Sequence, residues 1–368
     1  MFLAGIVVAV SGCQTINFYS QAIKGQYQIF AHQEPTARLR AEAQTPADLK
    51  NRLELVDQLR TYAASNLVLP VDGHYLKYVD VHRPFVVWNV EAAGEFSLEP
   101  KTWWYPLVGS LEYRGFFSKQ TAERYAERLK KQGRDVFVGG VEAYSTLGWF
   151  KDPLLNTFIF NPDAELAETL FHELAHQRVF ARGDTDFNEA FATTVGEEGA
   201  RRWVRSSRGA DAYAAYIGHL ERTRQFVRLI MGARLQLEKL YGDQRDADGK
   251  LEAARKPPLP AGEMRGRKQQ ILAQLREDYK SLKAQWGGDG EYDEWFARPL
   301  NNAQLNSVAA YYDLLPAFEA LLQINKGNLE KFYEAAEQLS KLPKKDRQQQ
   351  LRALGQMSAP VGNARAGL

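Results

Sequence analysis

His172-Glu173-Leu174-Ala175-His176 restricts the fold of this chain more than any other stretch. Two imidazoles four residues apart can serve one metal ion when the backbone between them is helical, because four residues rise about 6 Å and return to the same face. Glu173 then sits one position around the helix, beside any water on that metal. Zinc lowers the pKa of such a water toward about 7, and a neighbouring glutamate can take its proton as general base. With six histidines in 368 residues, chance alone supplies this pattern on the order of once per hundred such chains. The surrounding residues must therefore support the reading.

They do. From Ala164 to Arg182 the residues Leu166, Ala167, Leu170, Phe171, Leu174 and Val179 recur at helical spacing, with Asn161-Pro162-Asp163 as a start signal. This places the motif in mid-helix. Gly183 breaks the pattern, Asp184-Thr185-Asp186 brings turn and capping chemistry, and a second helix is predicted from about Phe187 to Trp203. The expected object is an antiparallel helix hairpin.

A catalytic zinc takes three protein ligands and keeps one position for water. With the turn at Gly183, His176 and Glu189 fall at the same level on facing helices, which makes Glu189 the third candidate ligand. Glu197, two turns further along the same face, is the alternative, followed by Asp184 and Asp186. Asn188-Glu189-Ala190-Phe191-Ala192 resembles the start of the second helix in glutamate-type zincins such as thermolysin. Those enzymes space the glutamate farther from the second histidine and place an aspartate four residues after it to orient a ligand histidine. Here that position is Thr193, a weaker partner, so the orienting group is Thr193 or one from elsewhere.

The N-terminus carries a second signal. Phe2 to Val10 is apolar but far too short to span a membrane, and it ends in Val10-Ser11-Gly12-Cys13, which resembles a bacterial lipobox. Cys13 is the single cysteine, so it can form no internal disulfide. The expectation is a signal peptide over residues 1–12 and lipid attachment at Cys13; the alternative is an incidental cysteine in an apolar N-terminus. No Lys or Arg precedes Cys13, a departure from secretory signals. Gln14 after the cysteine implies, by resemblance to lipoprotein sorting, an outer-membrane anchor with the chain facing the periplasm.

A net charge of +2 with no dominant basic stripe excludes nucleic acid as an expected partner. The Lys341-to-Arg352 run is expected as part of a solvated tail. Thr45-Pro46 opens a predicted helix to about Leu67. Short β-rich runs follow at 85–90, 102–107 and 111–117, with a helix over 119–132 and a strand over 135–138. Gly139 to Phe150 is expected as a loop of glycines and aromatics at a cleft rim, from which Tyr144 could hydrogen-bond an oxyanion. Beyond Trp203 the pattern is helical, including a long helical hairpin over 218–290. The predicted organisation is an N-terminal helical segment (13–80), a zincin-like core of sheet and helix pair (81–205), a helical region (206–345) and a tail (346–368). The fold class is α+β, predominantly helical, with the small sheet preceding the motif helices.

A family resemblance gathers these signals. The lipobox, Pro84 to Val90 (PFVVWNV), Tyr144 to Phe158 (YSTLGWFKDPLLNTF), His172 to Gln177 (HELAHQ), Gly183 to Ala192 (GDTDFNEAFA) and Asn301 to Tyr312 together resemble the bacterial predicted-aminopeptidase lipoproteins over nearly the whole chain. The resemblance implies a one-zinc peptide hydrolase with His172, His176 and Glu189 as ligands and Glu173 as base. It also implies that the 301–313 segment returns to the cleft, with Tyr311 or Tyr312 as a transition-state donor. An aminopeptidase needs in addition an acid that holds the free amine, for which Glu142, Glu197 and Glu198 are candidates. A non-catalytic zinc-stabilised scaffold and a peptide-binding lipoprotein are the alternatives. Peptide substrate and a membrane, through the lipid, are the expected partners.

Overall fold

The computed structural model describes residue 21 and residues 24–105, 109–143, 151–246, 251–255 and 258–358. The signal peptide, Cys13, Tyr144 and residues 359–368 lie outside the described residues. The fold is α+β and mostly helical, as the sequence predicts. Among the described residues no helix is long and apolar enough to cross a membrane.

A three-stranded antiparallel sheet lies ahead of the motif in sequence. Its central strand, Val87–Gly94, pairs with Tyr113–Phe116 on one side and Arg134–Val141 on the other. Side chains alternate across a strand. Trp88, Val90 and Ala92 accordingly enter a small core with Phe116, Val136 and the helix Lys119–Lys130, whose Ala122, Ala126 and Leu129 share one face. Asn89 and Glu91 point to the opposite face. The last strand runs through Gly139 and Gly140 to Val141, so the expected loop begins later than Gly139. Gly140 is suited to that strand because a Cβ there would lie 2.4 Å from the Phe85 ring.

The motif helix spans Asp163–Ala175, and its partner helix Thr185–Ser207 returns alongside it. Both contribute to the main core, with Leu170, Phe171, Phe187 and Phe191 fully buried. The motif is not in mid-helix as expected. The chain tightens at its end, where Gln177 N donates to Leu174 O and Arg178 N to Ala175 O, leaving His176 as the C-cap. Gly183 makes the turn at φ +74°, a conformation that favours glycine. Asp184 precedes the partner helix, but its side chain makes no capping bond, because Arg347 holds it.

The helix Gly209–Tyr241 packs against Ala261–Gln285 around a second core with Phe226, Leu237 and Tyr279. The segment expected as a solvated tail is a helix, Lys344–Ser358, whose Leu351 is fully buried. Its basic residues alone suggest solvent, yet Arg347 and Gln348 are themselves buried against Asp184.

The helix Asn302–Tyr312, which carries the two candidate tyrosines, is fixed to the sheet by amides. Asn301 caps it by accepting from Gln304 N. The fully buried Asn302 donates to the carbonyls of Gly94, Glu95 and Ser97 at 2.9, 3.2 and 3.0 Å and accepts from the Tyr241 hydroxyl at 3.0 Å. Asn306 donates to Leu98 O at 2.9 Å. Buried polar groups satisfied this fully set one register.

Candidate metal centre

Small residues bring the two motif helices close. A Cβ on Gly196 would lie 2.9 Å from Glu168 O and 3.1 Å from the His172 Cβ, and one on Gly199 would lie 2.8 Å from the Phe171 ring. Asn188 fixes the start of the partner helix, accepting from Ala181 N at 2.7 Å and donating to Ala181 O at 2.9 Å. Glu189 follows and faces the histidines. Its Oε2 lies 3.3 Å from His172 Nε2 and 3.7 Å from His176 Nε2, and the three ligand atoms all lie within 4.8 Å of one another. Tetrahedral zinc with bonds of about 2.0–2.1 Å holds its ligand atoms roughly 3.3–3.4 Å apart. Two imidazole nitrogens and one carboxylate oxygen at these separations could hold such an ion.

Burial dominates the electrostatics. It pushes the Glu173 carboxyl up to about 8, opposed by His172 and reinforced by Glu189 and Asp152. It pulls His176 down to about 4, which leaves a neutral imidazole. Burial also works against charge on His172 and Glu189, but Glu189 raises His172 through a hydrogen bond and attraction, while His176 first, then the bond and attraction to His172, lower Glu189. Glu173 is 8 % exposed, and its Oε2 has no hydrogen-bond partner among the described residues.

Tyr311 and Tyr312 diverge. The Tyr311 ring centre lies 6.4 Å from that of His172, and the Glu189 charge, then burial, holds its hydroxyl protonated well above the usual range. Tyr312 is raised by burial and by Glu197 and Glu168, on the other side of its helix. The structure thus brings Tyr311 to the cluster and not Tyr312. Thr193 is buried one turn beyond Glu189.

The other candidate acids are engaged elsewhere. Glu197 pairs with Arg224 at 2.9 Å, and Glu198 with Arg201 and Arg202 at 2.6 Å each. Glu142 accepts from Asn161 at 2.9 Å. Asp184 is held by Arg347. None of these, nor Asp186, belongs to the three-residue cluster.

Two features escaped the sequence reading. Asp152 is 3 % exposed, its Oδ2 lies 3.4 Å from His74 Nδ1, and its charge acts on both His176 and Glu173. It makes no hydrogen bond to His176, whose buried Nδ1 has no partner among the described residues, and so acts on the cluster only through its charge. Nothing local marks it, because long-range folding brings His74 and Asp152 together. The second feature is a cavity of about 40 Å³ lined by Asn89, Glu91, Glu112, Tyr113, Glu189 and Tyr311 among others. The Asn89-x-Glu91 alternation on a strand was its only signal in the sequence.

Fold and site together define a mostly helical α+β protein with a His-His-Glu cluster suited to a divalent cation. The chain matches, over residues 17–351, the family model described as "Putative aminopeptidase", and it belongs to that family. Comparisons with curated proteins and with solved structures give no match.

Proposed function

We propose that this protein is a zinc-dependent peptidase, an aminopeptidase of the glutamate-type zincin class, acting in the bacterial envelope. The observation that carries the reading is the convergence of His172, His176 and Glu189 beside an unpartnered, buried Glu173 oxygen, in a chain of an aminopeptidase family. His172, His176 and Glu189 would hold the ion. Bound there, zinc would supply Lewis-acid polarisation and an acidified water.

The chain's own groups account for the remaining chemistry. Glu173 takes a proton from the attacking water as the carbon–oxygen bond forms, then delivers it to the amine nitrogen as the carbon–nitrogen bond breaks. Tyr311, kept protonated by its surroundings, donates a hydrogen bond to the oxygen that gains charge. The enclosed position of Glu173 strengthens each of these interactions. Cys13 and its apolar leader support a lipid anchor, with residues from Gln14 onward facing the periplasm.

Glu173→Gln tests the reading. The variant should retain one zinc per chain by metal analysis and lose about 10²–10⁴-fold in peptide hydrolysis. A wild-type protein carrying one zinc that cuts no member of a broad peptide library would defeat it. Cys13→Ala should release the chain from the membrane fraction; unchanged association would remove the anchor.

A further inference from the structure

The cavity beside Glu189 continues the candidate centre away from the histidines. Glu91 and Tyr113 face each other across the central and edge strands, and both line it. Asn89, two residues before Glu91, shares their face, while Glu112 enters from the neighbouring turn. Glu189 and Tyr311 form the wall common to cavity and cluster. Glu173, whose buried Oε2 has no partner among the described residues, does not line the cavity, but its charge acts on Tyr113 and Tyr311, which do.

The lining has a sign. Among the described residues it contains three glutamates, two tyrosines, two asparagines, a serine and a threonine, with alanines and a proline, and no Lys, Arg or His. The Glu91 carboxylate has no hydrogen-bond or ion-pair partner among the described residues, and burial, then the Glu112 charge, pushes it up to about 8. A half-buried carboxylate without a partner of its own is stabilised by a cation. A metal ion is disfavoured there, since His172, His176 and Glu189 are the one three-ligand group among the described residues. A volume of about 40 Å³ exceeds the roughly 10–15 Å³ that a single water needs, so a group the size of an ammonium fits.

We infer that this cavity holds the free α-ammonium group of the substrate's first residue, with Glu91 and Glu112 as its anionic partners. The inference rests on the peptidase reading and narrows its substrates to peptides with an unblocked amino terminus. It moves the amine site away from Glu142, Glu197 and Glu198, which do not line this cavity.

The test compares alanine hydroxamate with N-acetylalanine hydroxamate, by calorimetry on the zinc-loaded protein, alongside hydrolysis of alanine p-nitroanilide and its N-acetyl form. The free amine should bind about 100-fold more tightly than the acetylated ligand, the range expected for a buried charge pair. Glu91→Gln should cut that ratio to below about tenfold, with zinc content and the affinity for the acetylated ligand unchanged. Lack of discrimination by the wild-type protein, including failure to bind either ligand, overturns the inference without recourse to a variant. So does a ratio preserved in both Glu91→Gln and Glu112→Gln, or a second zinc equivalent lost on Glu91→Gln. Discrimination in binding without hydrolysis would leave the amine site standing and defeat the peptidase reading, whereas equal cleavage of free and blocked substrates would do the reverse.

Discussion

Asp184 Oδ2 lies 2.8 Å from both Nε and Nη2 of Arg347, and the two side chains are 0 % and 5 % exposed. This pair joins the C-terminal helix to the turn from which Asn188 and Glu189 start. The Arg347 guanidinium also lies over the Phe187 ring, at 5.3 Å from its centre. The last helix thereby holds the turn that positions a candidate ligand.

Removing one member of a buried ion pair strands the other charge, at a cost of about 3–5 kcal/mol. Arg347→Ala should therefore lower unfolding stability by that order and weaken zinc binding through the loosened turn. Urea denaturation and a zinc titration measure the two effects. A stability change below about 1 kcal/mol would mean that Lys344, at 3.7 Å from Asp184, and Gln348 suffice to hold the turn.

At Gly196 the partner helix meets the backbone of the motif helix. In Gly196→Ala the new Cβ meets the Glu168 carbonyl at 2.9 Å, backbone that moves only with its helix. Overpacking of this kind costs typically about 1–3 kcal/mol, and the shift separates Glu189 from the histidines. The variant should bind zinc at least about tenfold more weakly, since displaced ligands lose metal affinity by such factors. Competition with a chromophoric chelator reads this, and an unchanged affinity would show that the helices separate without moving the ligands.

The hairpin was legible in the sequence because its signals are local: apolar spacing, Gly183, and a turn at nearly equal distance from His176 and Glu189. The sheet was legible from β-rich runs bounded by turn residues, though the strand through Gly139 and Gly140 was obscured by glycines that serve Phe85. What could not be read depends on contacts far apart in sequence. The basic run at 341–352 resembles a solvated tail until Asp184, 163 residues away from Arg347, is placed against it. Likewise Glu91 is one acid among many until Tyr113, Glu112 and the tyrosine helix close around it. Tyr311 and Tyr312 were equivalent candidates until the Asn302 amide fixed the rotation of their helix.

Glu189 and Glu197 stand on one helix, and zinc binding separates them. Glu189→Ala should reduce zinc to substoichiometric levels after dialysis, whereas Glu197→Gln should keep one equivalent, because Glu197 is engaged with Arg224. Chelation of the wild-type ion should lower the melting temperature, since a ligand bound to the folded state stabilises it by mass action. Retention of zinc by Glu189→Ala would displace this residue from the site.

Glu91 carries a pH signature independent of any ligand. Its carboxyl, ordinarily ionising at 4.5, is pushed by burial and by Glu112 up to about 8. Between these values the folded chain keeps a proton that the unfolded chain has released. Folding then binds protons, so stability falls as pH rises through this window, and the loss is complete above about pH 8. Glu91→Gln removes the titration. Its melting temperature should approach that of the wild-type protein near pH 5 and exceed it by a margin that grows up to about pH 8 and then levels off, as thermal melts at several pH values would record. A difference that stays flat with pH would mean that Glu91 ionises as a solvated carboxylate and that the cavity does not enclose it.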